Sequence, residues 1–356
     1  MAGLNARLVS VRVGRGSPSS LEFVRFFVNH KFVLFAIAFP FLIRIIPEIL
    51  AGPWPLGFDT VWVYAPFVKD VETKGFAASL SEIVGSQVAP LMFAFLGVAA
   101  VATGAAPFAI TKAAAPVLFA LLGFSMYWFA RRGLGWTPGN SFFLVVVSAL
   151  YFVPLRFSWD MYKNTLGLAF LFLALASLRP KEGTREKIIF VAFSSLSILA
   201  SELTAVLIAA VCGLLVVWER FKNKRWDLPM LLVLVLGSVA VLLYAHLLVP
   251  VPVTTSPLAP LPTRTGILYN YVGAAEDVYQ YPTVVDVYWS VAILTALLFV
   301  PIAIPAVRGL FLDRRLIAMC AVLGLGSFLV LLSPFAALPA WHRWLYMLVF
   351  PALIFA

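Results

Sequence analysis

The chain has 356 residues, of which 62% are hydrophobic and only 12% charged, with a mean hydropathy of +0.99. So little charge cannot solvate a globular surface of this size, which excludes a soluble domain and implies a bilayer. A formal net charge of +10 would suit nucleic acid, but the basic residues fall in short clusters between apolar runs, the positive-inside pattern of a membrane protein.

In chain order, residues 1–31 read as a basic cytoplasmic N-terminus carrying Arg7, Arg12, Arg15, Arg25 and Lys31. Residues 32–356 read as one transmembrane domain. Its first helix, Phe32 to Leu50, is too long for the apolar region of a signal peptide and reads as a retained anchor. An outer loop, 51–88, follows. Four further basic clusters set the topology: Arg131-Arg132, Arg179 to Lys187, Arg220 to Arg225, and Arg308 to Arg315. Placing them inside allows only one crossing between residues 51 and 130, although two apolar runs lie there. The Ala- and Gly-rich run 89–106, bounded by Pro90 and Pro107, is therefore expected to be an outer juxtamembrane helix that does not span. Phe142 to Leu155 then goes out and Thr165 to Leu178 comes in. The stretch 188–218 has basic clusters at both ends and is too short for two full crossings, so it reads as a short hairpin turning near Ser201-Glu202-Leu203-Thr204. Leu228 to Val249 goes out to an outer loop, 250–287. Tyr288 to Val307 and Leu316 to Pro334 are the next crossings. The helix from Arg343 has about 14 residues, too few to cross, so the natural chain is expected to continue. The fold expected is all-α: a polytopic transmembrane bundle of about ten spanning helices plus the outer juxtamembrane helix. Cys212 and Cys320 lie in apolar segments and read as buried free thiols.

This threading gathers ionisable groups at one face. Charges at membrane depth cost roughly 2.5–3.5 kcal/mol each on insertion scales, so such a gathering reads as a functional site. Asp59 follows helix one in Gly57-Phe58-Asp59-Thr60, with Tyr64 just beyond. Trp159, Asp160 and Lys163 sit in an outer turn, and Glu202 tops the short hairpin. Arg264, Glu276, Asp277 and Asp286 lie in the long loop. His342 and Arg343 begin the last segment. Carboxylates in this setting can act as general bases or hold a divalent cation, Mg2+ or Mn2+, with Asp59, Asp160 and Glu202 as the candidate ligands. Arg and Lys can hold phosphate.

Structural readings stand beside these. Asp59 can be a turn former and Asp160 a helix N-cap. Glu202 can pair with a neighbouring helix. Arg44 and Glu48, four apart, can pair on one helix face. Asp70 and Glu72, near Lys69 and Lys74, read as a solvated face. Arg343, between Trp341 and Trp344, can be an interfacial anchor, and His246 reads as a packed interfacial residue.

Four features resemble the GT-C superfamily of membrane glycosyltransferases, which includes protein O-mannosyltransferases, the aminoarabinose transferase of lipid A and oligosaccharyltransferase subunits. They are the acid just after helix one (Gly57-Phe58-Asp59), a juxtamembrane helix (Pro90-Leu91-Met92-Phe93), a second acid at an outer turn (Trp159-Asp160) and a short hairpin with a polar turn (Ser201-Glu202-Leu203-Thr204). The Trp-Trp-Asp signature of oligosaccharyltransferases is absent. The resemblance implies transfer of a sugar from a polyprenyl-phosphate donor, dolichyl phosphate in eukaryotes, to an acceptor lipid, glycan or protein, with inversion at the anomeric carbon. It gives Asp59 the role of base; Asp160 and Glu202 are further catalytic candidates, expected to orient the acceptor or share a cation. Arg343, with Lys163 or Arg264, holds the lipid phosphate, and Tyr64 and Trp159 are further substrate-binding candidates. The expected setting is the plasma membrane of a prokaryote or the endoplasmic reticulum membrane of a eukaryote, among membrane lipids and without nucleic acid. The competing classes are a lipid-linked substrate transporter or flippase, and a non-catalytic membrane subunit of the same fold.

Overall fold

The computed structural model describes residues 20–178, 183–224, 226–244, 283–303, 313–332 and 341–356, with no strand among them. Helix α1 is Ser20–Leu50, α2 Ala65–Lys74, α3 Phe76–Gly85, α4 Leu91–Thr103, α5 Pro107–Trp128, α6 Pro138–Leu150 and α7 Phe152–Asp160. Helix α8 is Tyr162–Ser177, α9 Thr184–Ala200, α10 Glu202–Asn223, α11 Leu228–Leu243, α12 Val284–Phe299, α13 Arg314–Leu332 and α14 Trp341–Phe355. Local chemistry sets several starts. The Asn140 N–H donates to the Thr137 side chain ahead of α6, with Pro138 in the first turn. The Met230 N–H donates to Asp227 ahead of α11. Thr283 and Asp286 form a capping box at α12. Asp286 therefore caps a helix rather than lying in the long loop.

Among the described residues, five helical stretches are long and apolar enough to cross a bilayer: Lys31–Leu50, Pro107–Gly133, Glu202–Lys222, Val284–Ile302 and Arg314–Leu332. The pair α6 and α7, bent by 65°, makes a sixth if it counts as one span. This is fewer than the ten expected from apolar runs. Length is the reason. At 1.5 Å per residue the 16-residue α8 and α11 reach only about 24 Å, short of a hydrocarbon core of about 30 Å.

Helix α8 is the axis of the packing. Every residue in it except Lys163 is buried, as expected of a helix apolar on all sides. Helices α5 and α9 pack along it. Apolar burial drives little association inside lipid, so close contact and hydrogen bonds carry more of the burden. Ser197 of α9 donates to the Gly167 carbonyl of α8 at 2.9 Å. A Cβ on Gly167 would collide with Thr204 of α10, so glycine sets the α8–α10 approach. In contrast, α1 exposes Leu42, Ile46, Ile49 and Leu50, an apolar face continuous enough to be lipid-facing.

Ionic contacts define two ends of the bundle. At one, Lys112 of α5 meets the end of α1, and Lys163 of α8 meets Glu202 of α10. At the other, Arg132 meets Glu186, Arg314 meets Glu219, and Arg315 meets the end of α8. Helix α4 does not run between them. Ala89, just ahead of it, bonds to Glu202, and its far end leads within a few residues to Thr111, whose carbonyl accepts from Tyr162.

Candidate functional site

The site end begins where α1 stops. Arg44 Nη2 donates to Glu48 Oε1 at 2.6 Å, with both side chains buried. Lys112 donates to the carbonyls of Glu48 at 2.6 Å, Trp54 at 3.1 Å and Gly52. The last carbonyls of a helix lack intrahelical donors, and Lys112 supplies one. This group is structural and fixes where the chain leaves α1.

The path then reaches Gly57, whose φ of 99° lies in the left-handed region. A Cβ there would collide with the Trp159 carbonyl and the Asp160 carboxylate. Conformation and contact thus both require glycine. Asp59 follows, immediately before a π-helical turn at Thr60–Tyr64, a geometry frequent at functional sites. Thr60 Oγ1 donates to the Trp159 carbonyl at 2.9 Å, joining the first loop to the junction of α7 and α8.

Three ion pairs meet around that junction. Arg343 Nη2 donates to Asp59 Oδ2 at 3.3 Å. Lys163 Nζ donates to both oxygens of Glu202, at 2.9 and 3.0 Å, and the Ala89 N–H donates to Glu202 Oε1 at 2.9 Å. Arg156 pairs with Asp160 one helical turn away and lies over the Trp159 ring, 5.4 Å from its centroid. Asp160 Oδ1 is buried without a hydrogen-bond partner. Asp160 closes α7, and Met161 precedes α8 without a side-chain cap, so Asp160 is not an N-cap. Tyr64 is buried and stacks on Tyr162 at 4.9 Å, and its hydroxyl accepts the Lys163 N–H at 3.2 Å.

Burial pushes the Asp59 carboxyl above its ordinary pKa. Arg343 opposes that push, Asp160 adds to it, and Lys163 opposes it more weakly. Burial likewise keeps the Tyr64 phenol protonated. Asp59, Asp160, Glu202, Lys163, Arg343, Tyr64 and Trp159 thus share one end of the bundle. Arg264, Glu276, Asp277 and His246 lie outside the described residues.

The metal reading does not fit. Among the described residues no three His, Cys, Asp or Glu side chains converge as ligands. Asp59, Asp160 and Glu202 each face a cation of their own, which leaves no shared carboxylate pocket for Mg2+ or Mn2+. Asp70 and Glu72 form exposed pairs with Lys74 and Lys69, and Lys74 also reaches Glu82, a solvated face.

Arg156 was legible as the partner of Asp160 from the four-residue spacing, and it was missed. Lys112 and the Ala89 N–H carried no comparable signal, because their partners are remote in sequence.

An apolar groove of about 470 Å³ adjoins the site. Met92 and Leu96 of α4, Ala113, Val117 and Leu121 of α5, and Leu166 of α8 line it. Leu166 lies one turn beyond Lys163, and Met92 precedes Phe93, whose ring centroid is 5.9 Å from the Lys163 ammonium. Comparison with family models, with curated proteins and with solved structures finds no match to this chain.

Proposed function

We propose that this chain is a membrane glycosyltransferase of GT-C type that moves a sugar from a polyprenyl-phosphate donor to an acceptor lipid, glycan or protein. The observation that carries the reading is the Glu202–Lys163 pair beside the α4–α5 groove, with the Asp59–Arg343 pair at the same end of the bundle. An anionic head suits the two cations, and a polyprenyl tail suits the groove. The step is one displacement. Asp59 takes the acceptor hydroxyl proton, the acceptor oxygen bonds to the anomeric carbon, and the bond from that carbon to the phosphate oxygen breaks. The negative charge gained by the leaving phosphate falls to Arg343 and Lys163, where charge-assisted hydrogen bonds are strong. An incoming phosphate also competes for Arg343 and so releases Asp59 to act as base. A carboxyl with a raised pKa is the better proton acceptor for this.

The reading places the site on the extracytoplasmic face and the N-terminus in the cytoplasm, in a plasma or endoplasmic reticulum membrane. A cysteine at 59 or 160 then reacts with an impermeant thiol reagent from outside, and one at 183 or 223 does not. Labelling of 160 and 183 from the same side contradicts the orientation.

Transporters keep ionisable groups near the bilayer midplane, and the cluster at one end argues against that class. A non-catalytic subunit is the second reading, favoured by the cation that already faces each carboxylate. The test is binding of a short-chain polyprenyl-phosphate hexose to purified protein, beside the matching polyprenol. The expected result is tighter binding of the phosphate by about tenfold or more, with release of polyprenyl phosphate when acceptor is added. Equal binding of the alcohol removes the donor assignment. Binding without release selects the subunit.

A further inference from the structure

A second groove, of about 570 Å³, lies at the opposite end of the bundle between α10 and α13. Leu214, Val217, Trp218 and Phe221 of α10 form one wall, and Ile317 and Ala321 of α13 the other. Lys222 and Arg314 stand at its edge. Phe221 is 83% exposed and Trp218 49%. Arg314 is paired with Glu219, whereas Lys222 is exposed and, among the described residues, has no ionic partner. Nearby, the Arg220 guanidinium lies 5.4 Å from the centroid of the exposed Trp226 ring. Aromatic rings beside cations mark the level of lipid headgroups. Basic pockets between transmembrane helices take anionic headgroups.

We propose that this groove holds an anionic phospholipid of the surrounding membrane, with an acyl chain along α10 and α13 and its phosphate at Lys222. Charge complementarity selects an anionic over a zwitterionic lipid, because Lys222 brings a positive charge that no described residue neutralises. The site is remote from Asp59 and does not depend on the glycosyltransferase reading.

The test uses the full chain, purified in detergent and stripped of lipid. Dioleoyl phosphatidylglycerol and dioleoyl phosphatidylcholine are titrated separately, and retention is read by native mass spectrometry beside the thermal midpoint. The expected result is a preference for phosphatidylglycerol of about fivefold, the contribution of one basic residue near an anionic headgroup. Lys222→Gln removes that preference and leaves the lipid-free midpoint unchanged, which separates lipid binding from a role in helix stability. Ala321→Phe, at an exposed position in the groove wall, weakens retention of both lipids. Lys69→Gln, at the other end, leaves the preference intact. Equal retention of the two lipids by the unmodified chain overturns the proposal. So does a preference that survives Lys222→Gln, or one that Lys69→Gln also removes.

Discussion

Arg315 and Arg343 each sit near the start of a helix, yet the fold uses them differently. Arg315 is buried. Its guanidinium donates to Asp313, to the Leu175 and Leu178 carbonyls at the end of α8, and to the Gly133 carbonyl at 2.8 Å, and it lies over Phe129. Every donor group is engaged, so the residue is a staple between segments. The Arg343 side chain is 28% exposed and holds one carboxylate, that of Asp59. On its own helix the indole nitrogens of Trp341 and Trp344 are buried without partners, as are Asp160 Oδ1 and the Trp159 indole nitrogen at the end of α7. The same side chain at two ends of one bundle thus serves architecture where its bonds are saturated. Where they are not, it is left holding a single carboxylate.

Substitutions can break that comparison. Arg315→Ala is expected to have the larger effect on stability, about 3–5 kcal/mol, because it leaves Asp313 without its partner in a mostly buried site. The thermal midpoint falls, while donor affinity of the folded fraction is unchanged. Stability that survives the change would place Arg315 among the dispensable surface charges. Gly57→Ala comes next. The left-handed conformation alone costs about 1–3 kcal/mol for a side chain, and the collision with Trp159 and Asp160 displaces Asp59. A misplacement of about 1 Å can cost a hundredfold in rate, so turnover should fall by about that order. Wild-type turnover in Gly57→Ala would show that the first loop does not set the site.

Arg343→Ala is expected to change stability least and to weaken donor binding by about tenfold or more, through loss of one charge-assisted contact. It also tests the electrostatics. Arg343 lowers the Asp59 pKa against the push of burial. Removing it raises that pKa, so the ionised base is lost at a higher pH. The acidic limb of the pH–rate profile therefore moves up in Arg343→Gln. An unmoved limb would mean that Asp59 is not the group titrating.

Much of this arrangement was legible in the chain because its charges are sparse. Each ionisable residue inside an apolar sequence reports a partner or a use. Spacing alone identified the Arg44–Glu48 pair, and the polar break at Ser201–Thr204 marks where α9 gives way to α10. Helix length was less legible. Hydropathy located apolar runs, and the polar turn at Trp159–Lys163 marked the break at Met161, but neither the break at Tyr151 nor the short reach of α8 and α11 was visible, so spans were overcounted. The pairing of the acids was illegible for a different reason. Counting acids at one face says nothing of the cations that reach them, and Arg343 meets Asp59 across 284 residues of chain.

The most direct test is Asp59→Asn, with turnover and donor binding measured on one preparation. The change keeps size and polarity and removes proton-accepting capacity. Turnover should fall by about 10²–10⁴-fold, the usual contribution of a general base, while donor binding survives and Asp70→Asn and Glu72→Gln cost little. Full turnover in Asp59→Asn, with loss in Asp70→Asn or Glu72→Gln, would contradict the account and move the chemistry to the neighbouring acids of the same loop.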